Sequence, residues 1–162
     1  MPNAYARVAS MLFTVQDGRN GAARRVKAPF GGHVMTKPKA LNHAAFRVTD
    51  VDKARDFYEN VIGLKQIPRP QMGIGGAWYG IGESAIHIIS ADNPMKGGDI
   101  DPTGPHIAIE VEDYEAAKAA VKQRGLEFRE LKMDGFGSLL WVLDPDGNTI
   151  ELRAPGVPGK PQ

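Results

Sequence analysis

Two stretches of this chain carry the same pattern. Residues 42–62, NHAAFRVTDVDKARDFYENVI, are answered at 105–124 by PHIAIEVEDYEAAKAAVKQR, so that His43 falls on His106, Ala45 on Ala108, Val48 on Val111 and Asp50 on Asp113, each 63 positions apart. The match then slips by one, because Gly63-Leu64 answers Gly125-Leu126. Farther on, WYGIGESAIHII from Trp78 answers WVLDPDGNTIEL from Trp141 and sets His87 opposite Glu151. A repeated supersecondary unit is the strongest constraint a sequence of this size can carry. Here it also puts ligand-type side chains at matching places, which is how a pseudo-twofold scaffold brings donors from separate strands to one cation. Three of the four His occupy such places.

Within each copy the pattern predicts strand, helix, then three strands. Alternation over the first strand puts His43, Ala45 and Arg47 on one face and Ala44, Phe46 and Val48 on the core face. Asp50 reads as a helix N-cap, Ala54, Phe57, Tyr58 and Val61 as the apolar stripe, and Gly63 as the stop. In the second copy Ile107, Ile109 and Val111 face a helix that starts after Asp113, shows Tyr114, Ala117, Ala120 and Val121, and ends at Gly125. His106, Ala108 and Glu110 are left on the opposite face. SAIHIIS alternates with His87 on one side and Ile86 and Ile88 on the other, and Glu151 shares a side with Arg153. Asp144-Pro145-Asp146-Gly147-Asn148 is a tight turn before the strand of Glu151, and Gly82-Glu83-Ser84 is its counterpart before the strand of His87.

At 162 residues and 42% hydrophobic, one domain suffices. Residues 1–40 carry seven Lys or Arg against Asp17 alone, while the rest carries 13 basic and 18 acidic residues. A mildly acidic body with no clustered basic face excludes nucleic acid as the main partner. No apolar run reaches the roughly 18 residues of a membrane span, so a soluble cytoplasmic protein is expected. With no Cys, a metal site must use imidazole and carboxylate, which suits Zn, Ni, Co, Mn or Fe(II). Residues 1–40, rich in Gly, Pro and Arg without periodicity, read as a poorly ordered arm with no role for His33. The arm resembles a transit peptide in composition, while Met35 reads as a native start. Residues 156–162 are a tail.

LNHAAFRVTDVDKARDFYENVIGL, HIAIEVEDYEAA and DPDGNTIEL together resemble the vicinal oxygen chelate superfamily, whose members include glyoxalase I, methylmalonyl-CoA epimerase, extradiol dioxygenases and fosfomycin-resistance enzymes. The resemblance covers residues 41–155. It implies an α+β fold of two tandem βαβββ modules, 41–95 and 104–155, forming a cupped, eight-stranded, half-open barrel around one divalent metal. It also implies a homodimer, in which some relatives exchange modules so that each site draws on two chains. Carried over by position, the ligands are His43, His106 and Glu151, with His87 where glyoxalase I and the epimerases have Glu or Gln.

Three inward ionisable groups at matched positions would be costly to bury without a cation. Metal ligation is therefore the expectation for His43, His106 and Glu151, with His87 as a fourth ligand or a base beside the metal. Proton-transfer isomerisation needs such a base, and Glu151 or His87 could serve. Two His and one carboxylate also match the facial triad of non-haem Fe(II). The extradiol enzymes have a Tyr before the terminal Glu strand, where this chain has Trp141 and Val142. A reading of another class is a metal-free, drug-sequestering protein like the bleomycin-resistance members, which lack these ligands. Arg47 or Arg153 would hold an anionic group of a small substrate, Met72 and Tyr79 are candidate substrate contacts in or beside a loop over the pocket, and Trp78 and Trp141 read as packing.

Overall fold

The computed structural model describes residues 38–93, 98–134 and 137–156, together with the backbone of 13–16 and 23–26. Two compact units emerge, Met1–Ala40 and Leu41–Gln162. In the first, where no periodic element was expected, β1 (Phe13–Gln16) pairs antiparallel with β2 (Ala23–Val26), matching Phe13 to Val26 and Gln16 to Ala23. A Gly-Arg-Asn-Gly run stands between them in the sequence, residue types common in turns. His33 and residues 157–162 lie outside the described residues.

The second unit runs β3 (His43–Val48), α1 (Val51–Asp56), β4 (Lys65–Ile67), β5 (Gly76–Ile81), β6 (Ser84–Ser90), then β7 (His106–Glu110), α2 (Tyr114–Gln123), β8 (Phe128–Met133), β9 (Gly137–Leu143) and β10 (Thr149–Arg153). Each module makes its own four-stranded mixed sheet, in the orders β3-β6-β5-β4 and β7-β10-β9-β8. In each, the first strand is parallel to the last and the other pairs are antiparallel. This is the expected α+β fold of two tandem βαβββ modules.

The helix starts follow from side-chain caps. Asp50 accepts from the amides of Asp52 and Lys53, and Asp113 from that of Ala116. Each helix ends at a glycine in the left-handed region, Gly63 at φ 84° and Gly125 at φ 65°, where a side chain would be strained. The helices differ in one respect. Beyond Asp56 the first continues as a π-helical turn, Phe57–Val61, closed by Ile62 N–H donating to Phe57 O at 3.1 Å. The first module has one more residue between cap and glycine than the second, and a π-turn is how a helix absorbs one extra residue. Phe57, Tyr58 and Val61 thereby all remain buried.

One apolar core takes the inner face of both sheets and both helices, with Val48, Tyr58, Ile86, Ile88, Leu140, Val142, Ile150 and Leu152 among its members. The DPDGN turn ties the modules together across it. Tyr58 donates its hydroxyl to Asp144 Oδ2 at 2.9 Å, and Thr49 donates its amide and hydroxyl to Asp146 Oδ1 at 2.9 and 2.6 Å. Asp144 also accepts from the amides of Asp146 and Asn148 and from the Asn148 side chain, so this buried carboxyl is fully hydrogen-bonded. Burial still pushes its pKa up against the pull of those bonds, and burial raises that of Tyr58 too. The edge strands β3 and β7 share no ladder. Between them lie a cleft of about 500 Å³, lined by Ala44–Arg47 and His106, and one of about 430 Å³ bounded by Ala85 and Glu110.

Candidate metal centre

Strand register brings the candidate residues together in pairs. On the first sheet Ala45 lies opposite His87 and His87 opposite Trp78, so His43, His87 and Trp78 share the face away from the core. The His87 ring is stacked between two others, 4.1 Å from the His43 centroid and 4.1 Å from that of Trp78, with interplanar angles of 15° and 7°. Burial, then the neighbouring His43 and Arg69, holds the His87 pKa below its ordinary value. His43 Nδ1 lies 2.7 Å from Asn42 Oδ1. An amide oxygen only accepts, so Nδ1 is the donor in this contact, and in the neutral ring Nε2 then presents a lone pair.

On the second sheet Thr149 lies opposite His106 and Glu151 opposite Ala108. His106 Nε2 stands 3.1 Å from Glu151 Oε2, and Arg153 Nε stands 3.1 Å from Glu151 Oε1. The glutamate is 6% exposed. His106 Nδ1 donates to the Gly104 carbonyl at 2.8 Å, which leaves the Nε2 lone pair of a neutral ring facing a carboxylate oxygen. Such a contact is satisfied by a proton shared between the two atoms or by a metal ion bound to both. The donor chemistry therefore fits a divalent metal.

The four expected ligands do not form one cluster within the chain: among the described residues no three His, Cys, Asp or Glu are placed to hold a metal together. They lie in two pairs instead, His43 with His87 and His106 with Glu151.

The other candidates divide. Arg47 lines the larger cleft with His106. Arg153 is engaged with Glu151. Met72 is 47% exposed in the β4–β5 loop. Tyr79 is a correction: it is fully buried on the core side of β5, stacked 5.8 Å from Tyr58, and donates to Glu59 at 3.1 Å, so it cannot touch a substrate. Strand alternation gives the face to its neighbour Trp78, which packs on His87 rather than in the core. Counting from His87 through the Gly82-Glu83 turn would have found it, because antiparallel pairing across a two-residue turn fixes which residue opposes which. Trp141, in contrast, packs with Ile100 and Leu139.

The profile of the Glyoxalase/Bleomycin resistance protein/Dioxygenase superfamily matches residues 40–152. The chain belongs to this superfamily. It is 33% identical over 121 residues to lactoylglutathione lyase of Neisseria meningitidis, covering 69% of this chain and 88% of the relative. It is 28% identical over 131 residues to mitochondrial methylmalonyl-CoA epimerase of Bos taurus, covering 70% and 73% respectively. Among solved structures, a glyoxalase family protein of Bacillus anthracis superposes with a TM-score of 0.63 at 25% identity, covering 75% of this chain and 98% of that one. A mutant of the fosfomycin resistance protein of Listeria monocytogenes, complexed with Mn(II) and a dihydroxypropylphosphonic acid, shares the fold at TM-score 0.62 and 21% identity, covering 73% and 93%.

Proposed function

We propose that this chain is a divalent-metal-dependent enzyme that binds vicinal oxygens of a small substrate and carries out isomerase or lyase chemistry of the glyoxalase type. His43, His87, His106 and Glu151 hold one metal ion, drawn from Zn, Ni, Co, Mn or Fe(II), and the enzyme works as a cytoplasmic homodimer. The observation that carries this reading is the His106–Glu151 pair, two acceptors 3.1 Å apart with the far nitrogen of the ring already committed to a carbonyl. Neither half-site alone offers the three or more protein donors such a metal takes. The pairs are preformed on strands, so they are completed by a second copy, the His43–His87 pair of one chain facing the His106–Glu151 pair of the other.

Bound there, the metal supplies Lewis-acid polarisation of adjacent substrate oxygens. The chain supplies the proton traffic and the positioning. Glu151 is the expected base: Arg153 pins Oε1, and Oε2 points toward His106. The stack of Trp78 and His43 fixes the plane of His87 without using its ring nitrogens, which leaves them for ligation or proton transfer.

Elemental analysis of protein purified without chelator, followed by assay with methylglyoxal–thiol adducts and with catechols, tests the reading. About one divalent ion per chain and turnover of the thiol adduct support it. Oxygen uptake with a catechol would instead make it a dioxygenase. A folded protein that takes up no metal would belong with the sequestering members.

A further inference from the structure

The two repeat-related histidines are oriented by different means. His43 has its Nδ1 against the side chain of the residue before it, Asn42. In the second module that position is Pro105, which has no side-chain acceptor, and His106 Nδ1 donates instead to the Gly104 carbonyl. That carbonyl belongs to the last residue of a turn, Asp101-Pro102-Thr103-Gly104, closed by Gly104 N–H donating to Asp101 O at 3.2 Å. Asp first, Pro second and Gly fourth are residues that a type I turn favours. Asp101 closes the turn a second time through its side chain, because Oδ1 accepts from the Thr103 amide at 2.9 Å and from the Thr103 hydroxyl at 2.7 Å. Its other oxygen lies against the bare Gly104, where a Cβ would stand 3.0 Å from Oδ2. Just before the turn, buried Ile100 packs on Leu139 and Trp141. Trp141 is the ladder partner of Glu151, so the segment is seated on the face of the sheet that carries this carboxylate.

We infer that Asp101 is a positioning residue for His106: by closing the 101–104 turn it aims the Gly104 carbonyl at Nδ1 and so holds Nε2 toward Glu151. This rests on the reading of His106 and Glu151 as metal ligands. A ligating imidazole is directed by the partner of its other nitrogen, and here that partner is placed by a carboxylate five residues before the ring. Asp101 touches neither metal nor substrate. It acts as an acceptor for Thr103, so an amide oxygen at the same place does the same work.

The test uses the full chain, ¹⁵N-labelled, and reads two quantities: solvent exchange of the His106 Nδ1 proton in metal-free protein, and Zn(II) affinity by chelator competition. Asp101→Ala should speed the exchange by about threefold to tenfold, the worth of one hydrogen bond, and weaken Zn(II) binding by about tenfold. Asp101→Asn keeps the acceptor and should restore most of both. Thermal unfolding reports whether each variant is folded, and if Asp101→Ala is not, Thr103→Val, which removes the hydroxyl donor to Asp101, decides with a smaller change of the same sign. A folded Asp101→Ala that exchanges like wild type overturns the positioning role. An Asp101→Asn as impaired as Asp101→Ala overturns it too, because the carboxylate would then act through its charge. Failure of the wild type to bind Zn(II) counts against the metal centre, and the exchange measurement still decides the role of Asp101.

Discussion

His106 Nε2 and Glu151 Oε2 face each other at 3.1 Å, while His106 Nδ1 is held by the Gly104 carbonyl and Glu151 Oε1 by Arg153. Both outer atoms are tied and both inner atoms are acceptors when the ring is neutral, so the pair is built to share a positive charge. Replacing one oxygen by an amide removes that capacity and keeps the shape. Glu151→Gln should lower metal affinity by about tenfold or more, the scale on which even outer partners of metal ligands act. Titration with a competing chelator measures it.

Trp78 contributes through contact rather than through a donor atom. An aromatic pair is worth about 0.5–1.5 kcal/mol beyond area burial, so Trp78→Ala should cost up to about tenfold in metal affinity by freeing the His87 ring. Trp78→Phe should restore most of it. The same chelator competition, run on both variants, separates a stacking role from mere bulk.

The latch between the modules can be cut at one atom. Tyr58→Phe removes the hydroxyl that satisfies Asp144 Oδ2 in the interior, leaving Asn148 Nδ2 as the remaining donor to that oxygen. A loss of about 1–3 kcal/mol is expected in denaturant unfolding, the range for weakening a buried polar pairing.

Glu130 gives a pH signature. Lys118 donates to both its oxygens at 2.7 and 2.6 Å and Tyr114 to one at 3.1 Å, and the Lys118 bond, opposed by partial burial, leads the causes that hold the Glu130 pKa below its ordinary value. A depressed folded-state pKa adds stability above the unfolded-state value, and that stability is lost as pH falls through the lower folded-state value. Because the pair is partly solvated, the gain is about 0.5–1 kcal/mol. Wild type should exceed Glu130→Gln by that amount at neutral pH, with the gap closing below about pH 4. Unfolding at several pH values reads it directly.

Much of this architecture was legible because the duplication is written in residues whose physics is local. Asp50 and Asp113 cap the helices they were expected to cap, and the alternation of HAAFRV and SAIHIIS assigns His43 and His87 to one face. The one-residue slip between the copies was visible too, but not its consequence: periodicity cannot tell a loop residue from a π-turn, and only the Phe57–Ile62 bond decides. The error at Tyr79 has the same origin. Tyr79 was placed at the substrate because its segment reads as a loop, whereas pairing with Gln66 and Ile86 makes it a strand residue facing the core. Trp78, read as packing, does pack, but on the His87 ring outside the core. The repeat aligned four ligand types but was silent on whether one chain could close them around a single point.

The most direct measurement of the central claim is metal uptake by mixed variants. Chains carrying His43→Ala with His87→Ala, and chains carrying His106→Ala with Glu151→Ala, should each fail to retain metal alone. Refolded or co-expressed together, they should regain about one ion per mixed dimer, because one site then draws both intact pairs. Retention of metal by either variant alone, or a folded mixed dimer that stays empty, would contradict the shared site.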